Sequence, residues 1–222
     1  MQAPTIAKRL SVVRERIGEA CVRANRSADE VTLIAVSKGF GAGAIRGAVE
    51  AGVTDIGENR VQEFEGKRLD LADLRGVTWH MIGNLQTNKA KAAVQLFDII
   101  HSVDSLRLAE AISNRALSNV SVFMEVNVAQ EATKSGFSLA ELSAAVTHAR
   151  RLHLDILGLM TVAPFASDPQ ASRPVFRALR EEAQALGLRG LSMGMTNDYE
   201  VAIEEGATHV RIGRAIFGER PA

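Results

Sequence analysis

The sequence predicts an α/β protein, a (β/α)8 TIM-type barrel with an extra N-terminal helix. Eight short apolar, β-branched runs recur along the 222 residues, and helical patterns separate most of them. Polar residues and glycines collect just past the ends of those runs, where a barrel keeps its active face. Strands that alternate with helices pair in parallel, because parallel neighbours need a crossover connection. An open doubly wound sheet shares that alternation. The count of eight favours the closed barrel, and no G-x-G-x-x-G follows the first strand.

Residues 4–25 come first and read as a helix, with apolar positions at Ile6, Leu10, Val13 and Ile17. The strand runs follow at 31–37, 54–56, 78–82, 98–101, 121–128, 154–160, 190–193 and 208–212. Helical patterns lie at 42–51, 105–117, 139–150, 174–186 and 198–205. No Pro/Ser-rich linker or shift in composition divides the chain, so residues 1–222 read as one domain without short-period repeats.

The 26 basic and 26 acidic residues cancel, so no positive field points to nucleic acid or to an anionic membrane. Hydrophobic residues make up 46%, enough for a sizeable core. Cys21 is the single cysteine, which rules out an internal disulfide and suits a reducing compartment; its place in the first helix makes it a packing residue. The N-terminal stretch mixes charges and lacks the apolar core of a signal peptide, and no run reaches the ~20 apolar residues of a membrane span. A cytoplasmic protein is expected.

Lys38 is the first singular residue, because it follows the apolar run Leu33-Ile34-Ala35-Val36 rather than sitting on a solvated helix face. Burial disfavours an ammonium and makes a lysine nucleophilic toward carbonyls, so Schiff-base chemistry is one reading. The alternative is an ordinary strand-end lysine that snorkels to water or pairs with Glu58 or Glu125. A second constellation lies after the last two strands. Gly194-Met195-Thr196-Asn197-Asp198 opens a helix with Thr196 or Asn197 as N-cap, and Arg211-Ile212-Gly213-Arg214 follows strand 8. The loops after strands 7 and 8 hold phosphate in many barrels, through free N–H groups and helix dipoles. Gly213 permits close backbone approach, Thr196 offers a hydroxyl and Arg214 a charge. The histidines lack metal-like spacing, and His80 beside Trp79 reads as a packed, satisfied side chain. The polar stretch 130–136 either covers the mouth or is solvated.

Several strings in one order carry a resemblance. They are Ala35-Val36-Ser37-Lys38, Gly57-Glu58-Asn59-Arg60-Val61-Gln62-Glu63 and Trp79-His80-Met81-Ile82-Gly83-Asn84-Leu85-Gln86-Thr87-Asn88-Lys89. Lys134-Ser135-Gly136, Gly158-Leu159-Met160, Ser192-Met193-Gly194-Met195 and Val210-Arg211-Ile212-Gly213 complete the set. Together they resemble the YggS/PROSC family of proteins that bind pyridoxal 5′-phosphate (PLP) and serve PLP homeostasis. The resemblance implies a barrel similar to the N-terminal domain of alanine racemase, the PLP fold type III. It implies PLP held as a Schiff base on Lys38, Asn59 near the cofactor ring, Met160 packed near it, and Arg211 facing the pyridine nitrogen. Thr196, Gly213 and Arg214 would hold the phosphate, with Ser192 and Met193 nearby. Thr196 stands where the family usually has serine, and Arg214 where a small hydroxyl residue is frequent.

A guanidinium at the ring nitrogen only donates hydrogen bonds, which would leave that nitrogen unprotonated and weaken carbanion stabilisation. Racemisation also needs a second acid–base group; related racemases take a tyrosine from a separate domain, and Tyr199 here lies in the helix after strand 7. The expectation is therefore a monomeric PLP-binding protein of PLP supply, with PLP-dependent apo-enzymes as recipients and no robust catalysis. A PLP-dependent racemase-type enzyme and a PLP-free Schiff-base aldolase are the alternatives.

Overall fold

The computed structural model describes residues 5–131 and 133–219. Among them eight parallel strands close into a barrel in chain order, with β8 pairing back to β1. The strands are β1 (Thr32–Val36), β2 (Asp55–Glu58), β3 (Thr78–Met81), β4 (Ile99–Val103), β5 (Val120–Glu125), β6 (Leu154–Met160), β7 (Gly190–Met195) and β8 (His209–Ile212). Each falls on a run that the sequence marks. The predicted fifth strand stops early, because Val126 leaves the ladder to bridge Phe137.

Nine helices surround the barrel among the described residues: α1 (Ile6–Arg23), α2 (Ala42–Glu50), α3 (Val61–Arg68), α4 (Ala90–Leu96), α5 (Leu106–Ser113), α6 (Leu139–Ala149), α7 (Arg173–Ala185), α8 (Tyr199–Glu204) and α9 (Arg214–Phe217). In α1, Leu10, Val13, Ile17, Ala20 and Cys21 form one buried stripe. Thr5 caps the start by accepting from the Lys8 N–H at 3.3 Å, and past its end Asn25 adopts a left-handed φ of 53°. The predicted start at Pro4 lies outside the described residues. Cys21 is 1% exposed and its thiol is pushed up by burial, which makes it inert packing.

Two kinds of core meet at the strands. Outward-facing residues such as Ala35, Ile56, Ile100, Val122 and Val210 join the apolar faces of the helices in one cluster. The barrel axis holds a polar and aromatic layer instead. His101 stacks on Phe123, with ring centroids 4.5 Å apart, and both lie near His209. In β8 this alternation reads His209 and Arg211 inward, Val210 and Ile212 outward. At the foot of α8, buried Glu205 gathers Arg173, Arg177 and Arg180 of α7, at 2.9, 3.4 and 2.9 Å. Spacings of four and three residues put those arginines on one face. Among the described residues, no helix is long and apolar enough to cross a membrane.

Candidate functional site

The C-terminal ends of the strands frame a cavity of about 760 Å3. Lys38, Asn59, Thr196, Arg211, Gly213 and Arg214 line it, six of the nine residues singled out in the sequence. It therefore joins the strand-end lysine to the loops after β7 and β8. The other three do not line it. Met160, Ser192 and Met193 are 1%, 0% and 0% exposed and sit behind the wall. Met160 pairs in register with Ser192, one layer below the mouth.

The backbone on both sides of Lys38 is anchored. Ser37 Oγ donates to Glu58 Oε1 at 2.7 Å, and the Gly39 N–H donates to Glu63 Oε1 at 2.7 Å. Lys67 bridges the two carboxylates, donating to Glu58 Oε1 at 2.8 Å and Glu63 Oε1 at 2.7 Å. Burial raises the Glu58 carboxyl above its ordinary value, although the bonds from Lys67 and Ser37 oppose that rise. Burial also acts on Glu63, but the bonds from Lys67 and the Gly39 N–H prevail and lower its pKa. Removing the cation would leave two carboxylates together, one of them wholly buried. Lys67→Met is therefore expected to cost about 2–3 kcal/mol, read as a lower midpoint in urea unfolding.

Arg211 occupies the inner wall, 4% exposed. Its Nη1 donates to Ser192 Oγ at 2.6 Å and its Nη2 to the Thr161 carbonyl at 2.8 Å. Burial pulls its pKa down to about 10, with Glu125 and Asp198 acting the other way, so it stays cationic at neutral pH. Ser192 thus orients Arg211. Asn59 lines the cavity, and among the described residues its buried Oδ1 has no hydrogen-bond partner.

The loop after β7 departs from the expected cap. Asp198, not Thr196 or Asn197, is the N-cap of α8; its Oδ1 accepts from the Met195 N–H at 2.7 Å and its Oδ2 from Ser172 Oγ at 3.1 Å. That leaves the Thr196 and Asn197 side chains on the cavity, where Asn197 Oδ1 accepts from Arg214 Nη2 at 3.0 Å. Arg214 is exposed and opens α9, with Gly213 as its N-cap. A Cβ on Gly213 would lie 3.2 Å from the Val36 carbonyl, so glycine lets this loop press against the end of β1, two residues before Lys38. Helices α8 and α9 span six and four residues, too short for the dipole the sequence suggested; side chains and first-turn N–H groups remain.

Glu125, at the end of β5, is pushed up to about 7 by burial and by Asp104, with Arg211 opposing. Its folded value exceeds the ordinary 4.5, so the folded chain holds more protons between those limits. The stability this proton confers is complete below pH 4.5 and is lost as pH rises through about 7. Glu125→Gln, which cannot ionise, is expected to raise the melting temperature by about 3–6 °C at pH 8 and hardly at all near pH ~5, in thermal melts at both values.

Several lining residues had no distinctive signal in sequence. Val162, Phe165 and Ala166 follow β6 in an apolar loop that resembles any other. Glu58 and Glu63 stood inside a quoted string, but Lys67, one helical turn beyond Glu63, did not. Lys134 and Ser135 tie back to the strand-end loops: Lys134 Nζ donates to the Val162 carbonyl at 3.3 Å, and Asn84 Nδ2 donates to Ser135 Oγ at 3.1 Å. Among the described residues no group of His, Cys, Asp or Glu could hold a metal ion.

Comparison with known proteins agrees with this architecture. The family described as "Alanine racemase, N-terminal domain" matches residues 13–221. The pyridoxal phosphate homeostasis protein of Aquifex aeolicus is 45% identical, over 96% of this chain and 97% of its own length. The structure of PipY from Synechococcus elongatus PCC7942 with PLP bound superposes with a TM-score of 0.85 at 37% identity, covering 96% of this chain and 100% of that one. Alanine racemase from Corynebacterium glutamicum shares the fold, with a TM-score of 0.71 at 18% identity over 97% of this chain and 60% of that one. The chain belongs to the alanine racemase N-terminal-domain family and, within it, to the pyridoxal phosphate homeostasis proteins.

Proposed function

We propose that the chain acts as one domain that binds PLP covalently on Lys38 and serves PLP homeostasis in the cytoplasm, without robust catalysis of its own. The observation that carries the reading is one cavity lined by Lys38, by Arg211, and by Thr196 and Arg214. An aldehyde, a ring nitrogen and a phosphate need those three kinds of partner. At about 760 Å3 the cavity has the volume usual for a cofactor site. Asn59, also on the lining, offers a polar side chain near the ring.

When bound, PLP supplies an aldehyde and an electron-accepting ring. Lys38, at the mouth, would be the residue that holds the aldehyde, its amine being the nucleophile such a carbonyl needs. Thr196, the Gly213 N–H and Arg214, which line the cavity, would hold the phosphate, and Arg211 would present N–H donors to the ring nitrogen. A donor-only guanidinium leaves that nitrogen without a proton, which weakens the electron sink. Met160 and Met193 pack behind the wall, and Ser192 holds Arg211. Tyr199, the chain's one tyrosine, is 3% exposed in α8 and does not line the cavity, which supports carriage over racemisation. The protein works as a monomer, and PLP-dependent apo-enzymes are its recipients.

Titration of the purified protein with PLP tests this, followed by addition of amino acids in deuterated water. Saturable uptake with no α-proton exchange is the expected result. Steady exchange would establish a racemase-type enzyme, and failure to take up PLP would leave the Schiff-base aldolase.

A further inference from the structure

The barrel axis carries a hydrogen-bond chain that meets the cofactor cavity only at its last member. It begins at Asp55 on β2, whose surroundings form a separate cavity shared with Arg14, Gly52 and Thr54. His80 Nε2 lies 3.0 Å from Asp55 Oδ1, and His80 Nδ1 lies 2.9 Å from His101 Nε2. His101 Nδ1 lies 2.8 Å from Ser192 Oγ, the oxygen that accepts from Arg211 Nη1 at 2.6 Å. His80, His101 and Ser192 are each 0% exposed.

The two ends fix the direction of every hydrogen between them. A guanidinium has only donors and an ionised carboxylate only acceptors. Burial opposes ionisation of Asp55, but bonds from His80 and Thr54 prevail and hold its pKa below the ordinary value. His80 therefore keeps its hydrogen on Nε2 and offers Nδ1 as an acceptor. His101 must then carry its hydrogen on Nε2, and its Nδ1 takes the Ser192 hydroxyl hydrogen. Ser192 Oγ is left to accept from Arg211. The opposite arrangement needs an extra proton on His80 and strips the Ser192 hydroxyl of its acceptor, which is costly for a buried group. Burial and the neighbouring His80, His209 and Arg211 hold His101 well below its ordinary pKa; Phe123 and Ser192 complete its surroundings.

We propose that Asp55, His80 and His101 are positioning residues for Arg211, a one-way chain of hydrogen bonds ending on the Asp55 carboxylate that locks the guanidinium toward the cofactor ring. Hydrogen bonds aligned in this sense polarise one another and strengthen the last of them. The claim about the ring rests on the PLP reading; the claim about the chain does not.

Two measurements separate these claims. The first is long-range 1H–15N correlation of the histidines in the cofactor-free wild-type protein at neutral pH. His80 and His101 are both expected as Nε2–H tautomers, and a hydrogen on His101 Nδ1 would overturn the chain. The second compares PLP labelled with 15N at the ring nitrogen in wild-type and Asp55→Ala protein. Asp55 does not line the cofactor cavity. The ring-nitrogen shift is still expected to move and PLP release to quicken about threefold to tenfold. Asp55→Asn, whose amide oxygen can still accept from His80, should restore the tautomers. An unchanged ring shift in Asp55→Ala would overturn the link to Arg211. If the protein takes up no PLP, the tautomers alone still decide the chain.

Discussion

Lys38→Ala is expected to abolish every borohydride-reducible adduct between the protein and PLP while leaving the fold intact. The side chain lines the mouth and is only half-buried, so its loss opens no cavity in the apolar core. The anchors of its backbone, Ser37 to Glu58 and Gly39 to Glu63, do not involve the amine. The change leaves Thr196, Gly213 and Arg214, the proposed phosphate partners, in place, so weak non-covalent binding is expected to remain, about 100-fold or more weaker, a loss of ~3 kcal/mol. The absorbance band near ~420 nm, which depends on the C=N bond, disappears with the lysine. If the variant still gave a reducible adduct, Lys89 or Lys134 would be the carrier. Lys134 is already engaged, ion-paired with Glu131 at 2.6 Å.

Gly158→Ala is expected to have the largest effect on stability. Gly158 of β6 and Gly190 of β7 are partners in register, and a Cβ on Gly158 would lie 1.9 Å from the Gly190 carbonyl oxygen. A Cβ on Gly190 would in turn meet the Leu157 oxygen at 2.6 Å and the Phe123 ring at 2.8 Å. The obstacle is backbone, not the end of a flexible side chain, so two ladder strands must separate. A cost on the order of 3–5 kcal/mol follows, lowering the melting temperature by about 10 °C. Since β6 and β7 both end beside the cavity, PLP uptake by the folded fraction should weaken as well. An unchanged melting curve would mean that the strands are not in this register.

These two sites also show what a sequence displays and what it hides. The strands were visible because each is a β-branched run between turn residues, and their number implied closure. Helices α2 and α5–α8 followed from apolar spacing. Helix α3 did not, because Val61 and Phe64 are its only buried residues among charged neighbours. Helix α4 is a short alanine-rich segment, and α9 is a single turn. Lys38, Thr196 and Gly213 were legible because strand ends and terminal loops of a barrel share one face. The glycine pair 158 and 190 was not legible, since each needs the other only through a register between strands about thirty residues apart. Ser192 was expected near the phosphate; its bond from Arg211 was not legible, because the two meet only across the barrel. His80 was read as a satisfied histidine and is one; its partners Asp55 and His101 are distant in sequence and adjacent only on the barrel axis.

Borohydride reduction of the wild-type protein loaded with PLP, followed by peptide mass mapping, tests whether Lys38 carries the cofactor. A single phosphopyridoxyl group is expected, on the peptide that contains Lys38. An adduct on any other lysine, or none on a protein that is saturated with PLP, would contradict it.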